Sequence, residues 1–168
     1  KYFFTRKVIF MKETHGYALL PGGFGTMDEA FELLTLMQTG KSPLTPVVLL
    51  DPPDSTYWDR WLDFVRLELL DGGLISENDL SLVHIFKDPQ AAADHICHFY
   101  SSYHSMRYVK DRLVIRLNRA IDDEELLLLN SSFSDILVSG SIERCDPTGS
   151  EIEDSDFLDL ERITFRYN

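Results

Sequence analysis

Pro21-Gly22-Gly23-Phe24-Gly25-Thr26-Met27-Asp28-Glu29 decides how the rest of the chain is read. Three of its first five residues are glycine, a composition that suits a tight turn and not the interior of a strand or helix. Upstream, Tyr17 to Leu20 is a short apolar run of the kind found in a buried strand. Downstream from Thr26, the apolar residues Met27, Ala30, Phe31, Leu34 and Met37 recur at helical spacing as far as Gly40. Strand, glycine turn and helix therefore follow in order. A turn so placed lets a ligand approach the backbone closely and aims N–H groups at it, which suits a phosphate. The Lys-Ser/Thr pair of a Walker loop is missing, and Asp28 stands where the dinucleotide fingerprint needs its third glycine. ATP hydrolysis and NAD binding both lose ground, and a purely structural tight turn is the competing reading.

The alternation continues on the C-terminal side. Pro46 to Leu50 reads as a second buried strand, Trp58 to Leu70 as an amphipathic helix closed by Gly72-Gly73, and Leu82 to Phe86 as a third strand. Pro89 opens a helix that runs through Tyr100. Before the glycine turn, Phe4 to Lys12 has helical composition and His15-Gly16 ends it. Strands separated by helices of this length imply an α/β fold, the second half of a doubly wound parallel sheet covered on both faces. After Tyr103 the pattern changes. Arg112 to Leu117 alternates like a half-exposed strand, Asp122 to Leu129 resembles a short capped helix, and Ile136 to Glu143 and Leu158 to Tyr167 read as strands. Cys145 to Asp156 is taken as the loop between those two strands. The division expected is a nucleotide-binding region over residues 1–104 and a small α+β appendage over 105–168.

With 168 residues, 44% of them hydrophobic, the chain can bury one sizeable core. The formal net charge of −12 repels polyanions, which argues against nucleic acid and anionic membranes as partners. Most of that charge falls late, in Asp122 to Glu125 and in Glu151, Glu153, Asp154, Asp156, Asp159 and Glu161, and reads as solvated surface. Cys97 and Cys145 show no disulfide-scaffold or metal spacing, so a reducing cytoplasm is expected. His95 and His98 share a helix face but have no further ligands with them, and Trp58, Trp61 and Val65 read as core or interface.

Glu29 sharpens the reading of the glycine turn. If the helix starts near Thr26, Glu29 lies in its first turn and Glu32 follows one turn later on the same face, with Asp28 rotated by roughly 100°. The helix dipole favours an ionised carboxylate there, better suited to stabilising positive charge than to donating a proton. Positive charge develops on the sugar when a glycosidic bond breaks. A glutamate that merely caps its helix is the alternative. Arg6 and Lys7 add cations just upstream, and arginine offers a planar fork for a phosphate or a leaving base.

Arg6-Lys7-x3-Met11 followed by Pro21-Gly22-Gly23-x-Gly25-Thr26-x-x-Glu29 resembles the signature of the LONELY GUY family of phosphoribohydrolases, once mislabelled as lysine decarboxylases. The resemblance runs from about Phe3 to Phe99, and the stretch after Tyr103 looks like the extension of longer bacterial members. It implies a Rossmann-like fold and hydrolysis of the N-glycosidic bond of a nucleoside 5′-monophosphate to free base and ribose 5-phosphate. In the best-studied members the base is an N6-modified adenine and the product an active cytokinin. The resemblance makes Arg6 and Glu29 catalytic and assigns Lys7, Gly22, Gly23, Phe24, Gly25, Thr26 and Thr35 to substrate binding. It requires no metal or other cofactor and implies a homodimer or higher homo-oligomer. The family's first βαβ unit has no counterpart here, so a preceding segment or a partner chain is expected to complete the pocket. A broad purine and pyrimidine nucleotide nucleosidase and a nucleotide-binding regulator without hydrolysis are the competing functions.

Overall fold

The computed structural model describes Ile9 and residues 11–167, which form two compact units dividing after Cys97. Arg6, Lys7 and most of the predicted helix Phe4 to Lys12 lie outside the described residues.

The first unit is built on β1 (Tyr17–Leu19), β2 (Val47–Leu50) and β3 (Val83–Phe86). They pair in parallel in the order β1-β2-β3, with Tyr17 opposite Val47 and Val47 opposite Val83. β2 is central, which is why Val47, Val48 and Leu49 form an unbroken apolar run with almost no exposure. The glycine turn delivers α1 (Phe24–Gln38) after β1, and α2 (Tyr57–Phe64) follows β2. α1 turns Ala30, Leu33 and Met37 to the core, and α2 adds Trp58 and Trp61, stacked edge to face at 5.7 Å. Of the two readings, core or interface, the tryptophans are core.

The helix predicted over Trp58 to Leu70 changes character halfway. From Val65 to Leu70 the backbone winds as a π-helix, and Asp71 donates its N–H to the Arg66 carbonyl at 2.9 Å. Nothing in the residue types marks this change, because side-chain spacing alone does not separate a wide turn from an ordinary one. The exit is legible: a Cβ on Gly72 would stand 2.6 Å from the Glu68 carbonyl oxygen, and Gly73 takes φ +69°. A 3₁₀ segment, Glu77–Leu82, then leads into β3.

α3 (Pro89–Ser102) runs into the second unit, which is an antiparallel sheet in the order β4-β5-β7-β6. β4 (Tyr103–Val109) is absent from the sequence reading; it joins β5 (Arg112–Leu117) through a hairpin at Lys110, φ 58°. Every residue of β4 but one is half-buried, so neither face carries a clean apolar alternation. β6 (Leu137–Arg144) and β7 (Glu161–Tyr167) match predicted strands closely. α4 (Asp123–Ser132) is opened by Asp122, which accepts from the Glu125 N–H at 2.8 Å while Glu125 accepts from the Asp122 N–H at 3.0 Å. The first acidic run is thus partly a capping box and not only solvated surface.

Two further expectations are corrected in this unit. β5 is not half-exposed: Leu117 joins Ile142, Ile163 and Phe165 in one core, and on the opposite face Val114 and Arg116 are also buried. Cys145 to Asp156 is not simply a loop either, because it contains α5 (Gly149–Asp154), whose Glu151 is fully buried beside Arg116 and Arg162. A carboxylate read as surface charge is the centre of an internal ion cluster. The architecture is a Rossmann-like α/β unit followed by a unit built on an antiparallel sheet, the fold class expected from the alternation.

Candidate functional site

In a parallel sheet every strand leaves its loop at the same edge, and ligands collect there. In the first unit that edge carries the glycine turn after β1, residues 51–56 after β2, and Lys87-Asp88 after β3. Gly23 is the N-cap of α1 with extended φ −96°, and its carbonyl accepts from the N–H groups of Thr26 (3.1 Å) and Met27 (3.2 Å). Those two bonds start the helix at Phe24, two residues earlier than predicted. Among the described residues no acceptor takes the N–H of Gly23, Phe24 or Gly25. These orphan donors at a helix N-terminus are what an anion requires.

The three glycines have different reasons to be glycine. A Cβ on Gly22 would overlap the Thr26 hydroxyl and lie 2.9 Å from its Cβ, so this position is closed by packing. A Cβ on Gly23 or Gly25 would meet nothing within 4 Å, and neither residue has a positive φ. Their lack of a side chain serves neither the backbone conformation nor the packing of the described residues, and leaves the approach to the N–H groups open. Gly23→Ala is accordingly expected to melt within about 2 °C of the parent chain while binding nucleotides at least tenfold more weakly; calorimetric titration beside a thermal scan checks both. Phe24, 97% exposed, stands at the rim of this opening.

Glu29 sits in the second turn of α1, not the first, which carries no acidic residue. It is half-buried, with Oε2 shielded from solvent. Helical side chains lean toward the N-terminus over the residues three and four before them. For Glu29 these are Thr26 and Gly25, the first-turn residues that follow the Gly23 cap. Thr35 lies nine residues beyond Thr26 on α1, about 13 Å along the axis. Its hydroxyl donates to the Phe31 carbonyl at 2.7 Å, and it borders a separate apolar cavity of about 170 Å³ lined also by Leu34, Trp61 and Val65. The turn and Glu29 are brought together; Thr35 is placed apart from them.

Three side chains of this edge escaped the sequence reading. Tyr57, the first residue of α2, donates its hydroxyl to the Gly22 carbonyl at 2.5 Å. Asp51, buried at the end of β2, accepts from Ser55 Oγ (2.8 Å), the Trp58 N–H (3.1 Å) and Lys87 Nζ (3.1 Å). Burial pushes the Asp51 carboxyl up, but these three donors outweigh it and hold it below the usual carboxylate range. Lys87 also reaches Asp59 at 3.0 Å and donates to the Ser55 carbonyl. Desolvation would lower its ammonium; hydrogen bonds and charge from Asp59 and Asp51 raise it instead. These contacts span up to 36 positions and follow from strand order, which no local motif announces. Beside the turn lies an open cavity of about 480 Å³ lined by Met27, Ser55, Thr56, Tyr57, Arg60 and Trp61.

Among the described residues no three His, Cys, Asp or Glu side chains gather as a metal site, and no helix is long and apolar enough to cross a membrane. His95 packs against His84 at 4.4 Å and Phe86 at 5.2 Å between ring centroids. No curated protein matches the chain in sequence comparison. The family model described as "possible lysine decarboxylase" matches residues 1–96, more than half of the chain, and with its glycine turn, α1 and parallel sheet inside that span the chain belongs to this family, the LONELY GUY domain family.

Proposed function

We propose that this chain hydrolyses the N-glycosidic bond of nucleoside 5′-monophosphates, releasing a free base and ribose 5-phosphate, in a site completed across a homodimer. The observation that carries the reading is an open turn, with glycine at 23 and 25 for no internal reason, at the N-terminus of the helix that carries Glu29. The N–H groups of Gly23, Phe24 and Gly25 hold the 5′-phosphate, and Lys7 adds charge. Binding energy from the phosphate, remote from the reacting bond, fixes the ribose over Glu29. As the C1′–N bond breaks, the Glu29 carboxylate stabilises the ribosyl cation and orients a water. The water oxygen bonds to C1′, its proton is released to the base or solvent, and Arg6 favours departure of the base.

Incubation with AMP, GMP, CMP and isopentenyl-AMP, with chromatography of the free bases, tests the reading. The expected result is base release from the purine monophosphates and none from the corresponding nucleosides. Comparable rates on all four nucleotides identify a general nucleotide nucleosidase. Nucleotide binding without release of any base overturns hydrolysis and leaves a nucleotide sensor.

A further inference from the structure

The peptide between Gly22 and Gly23 has no Cβ on either side, so it can turn over at smaller steric cost than any other in the turn. A peptide unit is planar and here trans, which makes its C=O and N–H point in opposite directions. Whatever holds the Gly22 carbonyl therefore also aims the Gly23 N–H. In one orientation the turn offers a donor to an anion; in the other it offers a carbonyl oxygen that repels it. The Tyr57 hydroxyl takes the Gly22 carbonyl at 2.5 Å from the α2 side.

Tyr57 is itself held in place. Its N–H donates to Ser55 Oγ at 3.1 Å, Ser55 donates to Asp51, and Asp51 also receives the Trp58 N–H one residue further along α2. Asp51 continues the strand ladder, donating its own N–H to the Phe86 carbonyl at 2.9 Å, and its side chain is fully buried against Lys87. The connection after β2 is thus fastened to the sheet by one carboxylate, and its aromatic side chain reaches across to the neighbouring turn. We propose that Tyr57 is a positioning residue that locks the Gly22-Gly23 peptide in its anion-binding orientation, with Asp51 as the buried post that sets Tyr57. The inference rests on the phosphate reading of the turn and adds the residues that make it competent.

The test is calorimetric binding of ribose 5-phosphate and of adenine to the full chain and to Tyr57→Phe, which keeps the ring and removes only the hydroxyl. One well-made hydrogen bond sets the scale at about tenfold. Tyr57→Phe is expected to weaken ribose 5-phosphate binding about tenfold, to leave adenine binding unchanged and to melt within about 2 °C of the parent. In turnover the loss should fall on KM, with kcat within about threefold. Asp51→Asn keeps an oxygen for the Trp58 N–H but lowers the charge facing Lys87; it should weaken ribose 5-phosphate binding by a smaller factor and add little to Tyr57→Phe in the double variant. Equal ribose 5-phosphate affinity in parent and Tyr57→Phe overturns the lock while leaving the phosphate site standing. A parent chain that binds no ribose 5-phosphate overturns the phosphate reading itself, and the lock with it.

Discussion

Glu29→Gln is expected to reduce base release from nucleoside monophosphates by about a hundredfold or more while nucleotide affinity changes by less than about threefold. Glutamine fills the same volume and keeps an oxygen, so α1 and the turn before it stay as they are. What disappears is the negative charge beside a developing oxocarbenium ion. Losing one preorganised electrostatic contact to a transition state costs about 10²–10³ in rate, whereas a contact shared with the ground state shows mainly in affinity. Steady-state turnover and equilibrium binding measured on the same preparation separate the two effects. Unchanged turnover would remove Glu29 from the chemistry and leave it as a helix residue beside a phosphate site.

The second large effect lies in the other unit. Arg116 on β5 and Arg162 on β7 face each other directly across the antiparallel pair, and both are buried. Like charges opposed in this way repel, and Glu151 resolves the conflict. Its Oε1 accepts from Arg116 Nε at 2.8 Å and Arg162 Nε at 3.3 Å, and its Oε2 accepts from the N–H and hydroxyl of Thr148, each at 2.8 Å. Asp156 takes a second nitrogen of Arg116 at 2.5 Å. Removing one member of such a buried cluster costs on the order of 3–5 kcal/mol, because buried Arg162 loses its carboxylate and buried Arg116 keeps only Asp156. Glu151→Ala is therefore expected to unfold the second unit at markedly lower urea, with hydrogen exchange accelerated first in β5 and β7.

The same geometry fixes a pH dependence. Burial alone would raise the Glu151 carboxyl, but Thr148, Arg116 and Arg162 outweigh it and hold it at about 2, against an ordinary value of 4.5. A folded-state value below the unfolded one stabilises the fold fully above about 4.5. That contribution is lost as pH falls from there toward 2. Acid should loosen the second unit in this window, and Glu151→Gln should flatten the slope.

The fold of the first unit was legible because its signals are local. Unbroken apolar runs mark β1 and β2, a glycine cluster marks the turn, and helical spacing from Met27 to Met37 marks α1. The second unit was harder for a physical reason: β5 puts an apolar set toward one core and Val114 and Arg116 into another buried layer, so the arginine position looks solvent-facing. Only the partner strand and Glu151 reveal that it is covered. The site divides in the same way. Glycines and Glu29 lie within nine residues and read as one motif, whereas Tyr57, Asp51 and Lys87 reach the edge from other strands.

In the proposed reaction the Pro21 to Glu29 segment grips a phosphate and presents a carboxylate to the sugar. A crystal structure of Glu29→Gln soaked with AMP tests it most directly. Phosphate oxygens are expected within hydrogen-bond distance of the Gly23, Phe24 and Gly25 N–H groups, and C1′ within about 3.5 Å of the residue 29 side chain. A phosphate seated elsewhere, such as on Arg60 in the neighbouring cavity with the glycine turn empty, would contradict it.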